Sequence, residues 1–298
     1  MWKGIRLSLL ENKLKEKLTI VILCAGEGKR LKKLTRYTPK PLLKIKALGS
    51  ELILQNIIFK LIKLEIKQII IIIGHLGNQI REFVSRQIKN DILLQNKLVI
   101  INSENQYKFG PLHSFLSITK NKTIFNDNNY YILIPGDTIF DLNLLQEIFS
   151  IISINYESIQ THPFVFYRNM ELKRLNEIYN RKKLISNAEL DKAGSEIVLK
   201  RISQLKMKNI HTKAIVHQII PIFAFNYDFI NNILNLKNEI PAITVWETLN
   251  YMISKKSKVV AFNIENKYQF FDIDEKYDLK KLKKKEKDNR YPDYSMNN

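Results

Sequence analysis

A glycine-rich turn with basic residues around it follows the first strongly apolar run of the chain. Gly26 and Gly28 come just after LTIVIL, and Arg30 follows them. Glycines allow close backbone approaches that a Cβ would block, so that free amides can face phosphate oxygens. The fork of Arg30 can bind two such oxygens, and Lys40 stands between two prolines that present its ammonium at little entropic cost. This spacing predicts a site for a phosphate chain.

Two widespread phosphate-binding patterns are absent from this stretch. A P-loop needs G-x-x-x-x-G-K-[ST], which the stretch does not contain. A dinucleotide fingerprint needs a third glycine, and Leu31 occupies that position. Taken alone, GEGKR is explained equally well as a surface turn with incidental cations. The longer stretch over 22–45 is much more specific.

An acidic residue stands where a second apolar strand is predicted to end. Asp137 follows YYILIPG, and a parallel sheet would bring it to the same edge as the glycine turn. Mg²⁺ prefers oxygen ligands and is often held by a few carboxylates together with phosphates, which makes Asp137 a candidate metal ligand. A helix cap is the alternative role, but Asp141 is better placed for it, directly before LNLLQEI.

Apolar β-branched runs alternate with segments of helical spacing through the first half of the chain. Strands are predicted at 18–23, 67–73, 97–101 and 130–134, and helices at 51–66, where Ser50 is a candidate cap, 78–88 and 142–152. This order predicts an α/β fold with a mostly parallel central sheet and helices on both faces. The second half is richer in strand-like runs, at 163–167, 195–202, 214–225, 258–264 and 268–273, with helices near 227–236 and 241–254. It predicts a β-rich insertion.

The composition favours a globular chain of 298 residues with a substantial core, since 45% of the residues are hydrophobic. No uncharged apolar stretch approaches the roughly 18 residues of a membrane span. The basic N-terminus lacks the apolar run of a signal peptide and predicts an amphipathic extension over 1–17. The one cysteine, Cys24, excludes an internal disulfide and a Cys-based zinc site. We expect a cytoplasmic protein that does not act at a membrane.

The charge is strongly basic and unevenly distributed. The formal net charge is +19, and residues 1–50 carry thirteen Lys and Arg against three Glu. A nucleic-acid-binding protein has this pattern, and so has an enzyme with polyanionic small substrates. Because some of these cations lie inside the glycine-rich stretch, we expect small phosphates as partners and no nucleic acid.

The stretch ILCAGEGKRLKKLTRYTPKPLLKI resembles the signature of the sugar-phosphate nucleotidylyltransferases, L-A-A-G-x-G-x-R…T…P-K-P-L. The positions that agree are Gly26, Gly28, Arg30, Thr35, Pro39, Lys40, Pro41 and Leu42, with Cys24 at a small-residue position. The resemblance implies a nucleotide-diphospho-sugar transferase-like fold. It also implies nucleotide contacts and catalytic groups. The nucleotide-binding residues would be Cys24, Ala25, Gly26 and Gly28, and the catalytic ones Arg30, Lys40 and Asp137.

The family's late acidic motif also has a counterpart. YQFFDIDEKYDLKKL resembles aromatic-x-D-[IV]-[GD]-x-x-x-D-L, and its first aspartate, Asp272, falls at the metal position. The resemblance implies Mg²⁺ as a cofactor held by Asp137 and Asp272, which must then converge on one cleft. Asp274 could substitute or assist, and Asp278 is expected in the first turn of a closing helix.

The loop ENQYKFGPLHSFLSI resembles the segment that contacts the nucleobase in the family. It implies Gln106, Gly110 and Ser114 as nucleotide-binding residues, with His113 as an alternative reader of the base edge. Pro111 stands where members usually have threonine or asparagine. The choice among UTP, CTP, GTP and dTTP is therefore open.

The acceptor side has no matching motif. The family often places a lysine in a Glu-Lys-Pro segment to hold the acceptor phosphate, and 195–209 lacks that segment. Lys200, Lys206 and Lys208 are the candidates there. The spacing of EIPAITVWETLNYMI before DID resembles the branch that cytidylylates inositol phosphate or other polyol phosphates.

The resemblance implies an enzyme that transfers a nucleotidyl group from an NTP to a sugar-1-phosphate, releasing pyrophosphate and forming an NDP-sugar. Two alternatives stay open: a cytidylyltransferase for inositol phosphate or another polyol or choline phosphate, and a non-catalytic regulatory homologue. We expect one nucleotidyltransferase domain over 18–286 and a basic polar tail over 287–298. Within the domain, the NTP would bind the part at about 18–155 and the phosphorylated sugar or polyol the part at about 156–270. Self-association is left open.

Overall fold

Apolar runs rich in isoleucine, leucine and valine form the strands at the centre of the molecule. The computed structural model describes residues 16–46, 51–179, 183–206, 214–240, 243–279 and 282. In chain order, the strands are β1 (Leu18–Cys24), β2 (Lys44–Ile45), β3 (Glu51–Leu52), β4 (Gln68–Ile73), β5 (Leu98–Asn102), β6 (Tyr130–Pro135), β7 (Thr138–Phe140), β8 (Phe164–Glu171), β9 (Leu184–Ala193), β10 (Glu196–Lys206), β11 (Ile215–Phe225), β12 (Val260–Asn263) and β13 (Phe270–Asp272). The α-helices are α1 (Ile53–Lys63), α2 (Gly77–Asn90), α3 (Pro111–Phe115), α4 (Leu142–Ile154), α5 (Tyr156–Ile159), α6 (Leu172–Ile178), α7 (Tyr227–Leu236) and α8 (Val245–Ser254). Short 3₁₀ helices lie at Lys29–Leu34, Lys40–Leu42, Ile92–Leu94, Glu104–Phe109 and Leu116–Lys120.

Four strands from the first half of the chain form a parallel unit. They lie in the order β5-β4-β1-β6, and every neighbouring pair in it is parallel. Ile20, Val21 and Ile22 of β1 have no exposed surface, as expected for a central strand covered on both faces. Because the strands are parallel, their carboxyl ends share one edge of the sheet, and Leu23 lies beside Pro135 there.

The sheet continues through the second half of the chain with mixed directions. Within the described residues it has nine strands, and β11-β8-β12-β10-β9 follow β6. β11 is antiparallel to both β6 and β8, and β10 is antiparallel to β9 and β12, whereas β12 and β8 are parallel. The expectation of a mostly parallel sheet thus fits the first four strands, and beyond them β12–β8 is the one parallel pair among the described residues. One cause is a tight hairpin: a two-residue turn with Gly194 at φ +66° joins β9 to β10, and so short a connection forces antiparallel pairing.

Helices cover both faces of the sheet. On one face, α1, α2 and α4 pack their apolar sides against alternate residues of β1, including Ile20 and Ile22. On the other face, α3, α7 and α8 pack against residues such as Val21 and Leu133. These two layers account for most of the core and hold the strand ends in fixed positions.

A two-stranded ribbon joins two distant parts of the sequence beside the sheet. β7, directly after β6, pairs antiparallel with β13, and Thr138 lies opposite Asp272 in its register. The backbone amide of Asp141 donates to the carbonyl of Gln269 (2.9 Å), which extends the pairing by one more bond. The ribbon brings the late acidic motif to the carboxyl end of β6.

Most predicted strands and helices agree with the observed ones to within a few residues, and Asp141 caps α4 by accepting from the amide of Asn143. The strand β9 and the helix α6 were not predicted. Ser50, residues 1–15 and the tail over 287–298 lie outside the described residues. The division of the chain near residue 155 stays a prediction, since strands from both sides of it belong to one sheet. In the described ranges, every helix is too short or too polar to cross a lipid bilayer.

Candidate functional site

A cleft of about 370 Å³ opens at the carboxyl ends of β1 and β6. Four cationic side chains line it, and the three carboxylates of Glu27, Asp137 and Asp274 lie on its wall. The cations are Lys29, Arg30, Lys40 and Lys108. We call this the first cleft. Its position outside the strand ends is where parallel sheets usually bind ligands, and its excess of positive charge suits a polyanion.

The glycine turn forms one side of the first cleft. Gly28 has φ +64°, a backbone shape that favours glycine, and its carbonyl accepts from the amide of Leu31 (3.0 Å) and the hydroxyl of Thr35 (2.8 Å). Gly26 has open space where a Cβ would lie, since no atom comes within 4 Å of that point. The turn is therefore fixed at Gly28 and open toward the cleft at Gly26.

Lys40 sits at the floor of the first cleft. It begins a short 3₁₀ helix, and its ammonium lies 2.6 Å from Asp137 Oδ2 and 3.3 Å from Asp274 Oδ1. Its side chain is 9% exposed. Burial alone would lower the pKa of Lys40, but the two carboxylates outweigh burial and the pKa is raised. Lys40 therefore stays protonated over the physiological range.

Asp137 reaches the cleft because β6 ends closely against β1. The amide of Gly136 donates to the carbonyl of Leu23 (2.9 Å), and a Cβ at Gly136 would lie 2.4 Å from Cys24 Sγ. Only glycine fits there. Burial, together with the nearby Asp137 carboxylate, raises the pKa of the Cys24 thiol well above its usual value, which disfavours the reactive thiolate form.

Asp272 is brought to Asp137 by the ribbon of β7 and β13. Thr138, the residue after Asp137, donates its hydroxyl to Asp272 Oδ1 (2.6 Å), and the amide of Ile273 donates to the Asp137 carbonyl (3.3 Å). Burial raises the pKa of Asp272, the Asp274 and Asp137 charges add to that effect, and Lys183 opposes it. The two predicted metal ligands thus lie at the same corner of the molecule, where negative charge is crowded.

Asp274 binds cations from three parts of the chain. Its Oδ1 lies 3.4 Å from Arg30 and 3.3 Å from Lys40, and its Oδ2 lies 3.6 Å from Lys183. Burial would raise the pKa of Asp274, but these three cations lower it. Asp278 Oδ2 in turn accepts from the backbone amides of Asp274 and Glu275 (both 2.8 Å), which fixes the turn that carries Asp274.

The donor set at this corner fits a magnesium ion. Mg²⁺ takes hard oxygen ligands and commonly uses one or two carboxylates, with phosphate oxygens and water completing the shell. Burial is the main cause of the raised Asp272 pKa and the Asp274 and Asp137 charges add to it, so a divalent cation there would offset the repulsion between these carboxylates. Among the described residues no group of three or more Asp, Glu, His and Cys is arranged to hold a metal ion, so a bound ion would have to take most of its ligands from substrate oxygens and water.

A second cleft of about 290 Å³ adjoins the first and shares Leu23 and Pro111 with it. Its lining is mainly apolar and aromatic, with Asp272 and Lys183 at one end. The other lining residues include Tyr179, Leu184, Ile219, Pro221, Phe223, Val245, Trp246 and Phe270. Its volume and its position beside Asp272 suit a second, smaller substrate.

A buried polar network lies next to the second cleft. Arg168 is 1% exposed, donates to Gln218 Oε1 (3.0 Å) and the Tyr268 carbonyl (3.0 Å), and lies over the Phe270 ring (4.5 Å). Gln218 donates to the hydroxyl of Tyr179 (3.0 Å). Because Tyr268 and Phe270 adjoin Asp272 in sequence, this network helps to hold the ribbon in place.

The residues predicted to contact the nucleobase, Gln106, Gly110 and Ser114, lie in different local environments. Gln106 and Ser114 are not in the described lining of the first cleft, and Ser114 donates to the Gly110 carbonyl (3.2 Å) inside α3. Gly110, at φ +110°, packs against Ile243, where a Cβ would come within 2.2 Å. Tyr107 and Lys108 from the same loop line the cleft instead, together with Pro111.

Two further predicted residues, His113 and Ala25, are not in the described lining of the first cleft. The His113 ring packs near Phe109 (5.7 Å between ring centres), and burial lowers the His113 pKa. Ala25 is buried, and its carbonyl accepts from the amide of His75 (3.1 Å). The structure thus brings Cys24, Gly26 and Gly28 to the first cleft with Arg30, Lys40 and Asp137, whereas Asp272 lines the second, so the two predicted metal ligands line adjoining clefts and not the single cleft that was expected.

None of the lysines predicted as candidates for the acceptor phosphate is found in the described lining of the two clefts. Lys200 and Lys206 are exposed on β10 and are not in the described lining of either cleft, and Lys208 lies outside the described residues. Lys183, directly before β9, lines the second cleft. In the sequence it is the last of three consecutive basic residues, and nothing in residue type separates it from its neighbours.

Comparison with known protein sequences assigns the chain to a family. The sequence model of the family described as "Nucleotidyl transferase" matches residues 19–169. The Bifunctional protein GlmU of Methanococcus maripaludis is 30% identical over 121 residues, which are 41% of this chain and 25% of that protein. The chain therefore spans about a quarter of that relative.

Two solved structures have the same fold. An inositol-1-phosphate CTP transferase from T. maritima superposes with a TM-score of 0.62 at 16% identity, covering 93% of this chain and 99% of that one. A UDP-glucose pyrophosphorylase complexed with UDP-glucose superposes with a TM-score of 0.65 at 14% identity, covering 91% and 99%. At these identities the likeness concerns the fold.

Proposed function

Because the chain belongs to the nucleotidyl transferase family, we propose that it transfers a nucleotidyl group from an NTP to a sugar-1-phosphate and releases pyrophosphate. The observation that carries this proposal is the convergence of three separate segments on one corner. Lys40 lies 2.6 Å from Asp137, and the ribbon places Asp272 opposite Thr138, the residue after Asp137. The glycine turn faces the same cleft.

The first cleft would bind the triphosphate. The amides around Gly26 and Gly28 would face phosphate oxygens, and Arg30, 70% exposed at the mouth, can turn toward the phosphates that leave. Lys40 is buried and held by two carboxylates, so its charge is already oriented when a substrate arrives. Such preorganised charge acts on the transition state at little reorganisation cost.

The proposed reaction needs no general base. An anionic oxygen of the acceptor phosphate attacks the α-phosphorus of the NTP and forms a new P–O bond. The bond from the α-phosphorus to the oxygen that bridges to the β-phosphorus breaks, and pyrophosphate leaves with that oxygen. The barrier is mainly repulsion between two polyanions, so positioning and cations can supply most of the acceleration.

We propose Mg²⁺ as the cofactor, with Asp137 and Asp272 as its protein ligands and Asp274 as a neighbour that orients the cations. When bound, the ion supplies positive charge to phosphate oxygens. Asp272 holds its place through Thr138, and Asp137 through the close contact of Gly136 with β1. NTP and a phosphorylated acceptor account for the charge of both clefts without a nucleic acid or a membrane as partner.

The acceptor stays open between two classes. Sugar-1-phosphates are the first candidate, and inositol, polyol or choline phosphates are the second. Two observations favour keeping the second class. The apolar and aromatic lining of the second cleft suits an acceptor with few hydroxyl groups, such as choline phosphate. A solved structure with this fold is an inositol-1-phosphate CTP transferase.

A pyrophosphate-release assay tests the proposal. Purified protein with Mg²⁺ is tried with UTP, CTP, GTP and dTTP against a panel of sugar-1-phosphates, inositol phosphate and choline phosphate, with Asp137→Asn protein as the background control. We expect turnover with at least one pair. NTP binding without turnover on any pair would instead favour a non-catalytic, regulatory homologue.

A further inference from the structure

The two clefts differ sharply in their cationic groups. Four lysine or arginine side chains line the first cleft, whereas Lys183 is the one lysine or arginine among the described residues that line the second. Under the proposed function, each cleft receives a substrate that carries phosphate. A phosphate group in a partly enclosed site needs a charged donor, because removing it from water without one is costly. Lys183 is placed to be that donor.

The ammonium of Lys183 is held at the junction of the clefts. Its side chain is 11% exposed, and its Nζ donates to the Asp272 carbonyl (3.3 Å) and lies 3.6 Å from Asp274 Oδ2. The stem also places the charge 5.0 Å from the centre of the Tyr179 ring. These contacts order the side chain in the substrate-free protein, so that little entropy is lost when an anion binds.

One carboxylate separates the cations of the two clefts. Asp274 contacts Lys40 of the first cleft through Oδ1 and Lys183 of the second through Oδ2. An anion bound at Lys183 would therefore lie close to one bound at Lys40. This is the arrangement that attack of one phosphate on another requires.

Building on the proposed function, we propose that Lys183 binds the phosphate of the acceptor and places its attacking oxygen beside the α-phosphate held near Lys40. Lys183 comes from the segment before β9, not from the strand in which such a lysine was expected. Lys200 and Lys206 in that strand are exposed and do not line the described part of the second cleft. On binding, the acceptor phosphate replaces part of the contact between Lys183 and Asp274. That contact, at 3.6 Å, is longer than the Lys40–Asp137 pair at 2.6 Å.

Steady-state kinetics of Lys183→Met test the proposal on the active substrate pair. The acceptor KM should rise about ten- to a hundredfold, as expected for loss of one charge-assisted contact, while the NTP KM stays within about twofold. Lys183→Arg should recover part of the loss because it keeps the charge. Lys200→Met and Lys206→Met are the matched controls, and their acceptor KM should equal that of the wild type.

A binding measurement tests the role of Lys183 independently of the proposed nucleotidyl transfer. With the first cleft filled by a non-hydrolysable NTP analogue and Mg²⁺, inorganic phosphate is titrated into wild type and Lys183→Met by calorimetry. Phosphate should bind the variant at least about ten times more weakly, with unchanged affinity for the analogue and an unchanged melting temperature. Equal phosphate affinity, or an unchanged acceptor KM in an active enzyme, overturns the role of Lys183. Absence of turnover in the wild type with every pair counts against the proposed function alone.

Discussion

The ammonium of Lys40 lies 2.6 Å from a carboxylate oxygen of Asp137, although 97 positions separate the two residues in the chain. Lys40 belongs to the segment after the glycine turn, and Asp137 follows β6. The pair therefore ties the cation-rich wall of the first cleft to its acidic corner. The Asp137 side chain is still 36% exposed, which leaves it accessible to a metal ion, and the predictions below concern the groups around this pair.

Asp137→Asn should lower kcat/KM by at least about a hundredfold, because a neutral amide is a poor Mg²⁺ ligand and one negative charge is lost. The asparagine keeps the shape of the side chain and an oxygen that can accept from Lys40. Pyrophosphate release is measured as a function of Mg²⁺ concentration, and half-maximal activity should require more metal than in the wild type.

Asp141→Asn is the matched control for that change. Asp141 caps α4 by accepting from the amide of Asn143 (3.1 Å), and asparagine caps helices equally well. We expect wild-type activity, metal dependence and melting temperature. If Asp137→Asn behaved like this control, Asp137 would not be a metal ligand.

Arg30→Ala should reduce the rate roughly ten- to a hundredfold, since one charge-assisted contact to the leaving phosphates is lost. Stability should change little, because the guanidinium is 70% exposed and its contact with Asp274 is 3.4 Å long. Kinetics and thermal melting are compared with Arg36→Ala, whose exposed guanidinium lies over the Tyr37 ring (5.1 Å) and does not line the described cleft. A similar rate loss in both variants would point to a general effect of surface charge.

Two glycine substitutions should separate binding from folding. Gly136→Ala forces a Cβ to within 2.4 Å of Cys24 Sγ and 2.8 Å of the Leu23 carbonyl, and overpacking of this kind costs about 1–3 kcal/mol. Its melting temperature should fall. Gly26→Ala meets no atom within 4 Å and should melt like the wild type, but its methyl group faces the first cleft and should raise the NTP KM. Normal NTP kinetics in Gly26→Ala would place the triphosphate elsewhere.

The lowered pKa of the buried Lys60 leads us to expect that the stability of the folded protein depends on pH. Burial lowers the pKa of Lys60 to about 8, against an ordinary lysine value of 10.5, and its ammonium donates to the Phe140 carbonyl (2.6 Å). Between these two pKa values the unfolded chain binds the proton and the folded protein does not, so the free energy of unfolding gains a contribution that rises with pH.

The contribution of Lys60 can be isolated by difference. Relative to Lys60→Met, the free energy of unfolding of the wild type should rise by about 2 kcal/mol from pH 7.5 to pH 9.5. Urea denaturation at both pH values measures it. Lys63→Met, an exposed lysine on the same helix α1, should show no such difference from the wild type. If the difference in unfolding free energy between the wild type and Lys60→Met did not change with pH, the folded-state pKa of Lys60 would be ordinary.

The local pattern of the chain predicted much of the fold. Uninterrupted β-branched runs such as Ile69–Ile73 can be buried only as central strands, and the alternation with helical segments predicts the parallel unit β5-β4-β1-β6. Asp141 was identified as a helix cap because it directly precedes an apolar helical run, and the structure confirms it. These features depend on neighbours within a few positions, which the sequence displays directly.

The reversal of strand direction after β6 was not predicted. β9 and β10 lack a regular alternation of polar and apolar residues, and their apolar residues do not specify which neighbouring strand each will pair with. The direction follows from the short turn at Gly194 and from the place of β11 beside β6. Pairing between strands distant in sequence depends on the packing of the whole sheet.

By itself, the sequence determined the residues from which a phosphate site is predicted: the glycine turn, Arg30, Lys40 and an aspartate at a strand end, because backbone freedom and charge are properties of residue type and local spacing. Only the tertiary structure decided that Asp274 contacts Arg30, Lys40 and Lys183, and that Lys183 lines the second cleft. The interaction of charges depends on distance through space, and the distance between Lys183 and Asp274 is set by how β9, β13 and their connections pack. No spacing in the chain encodes it.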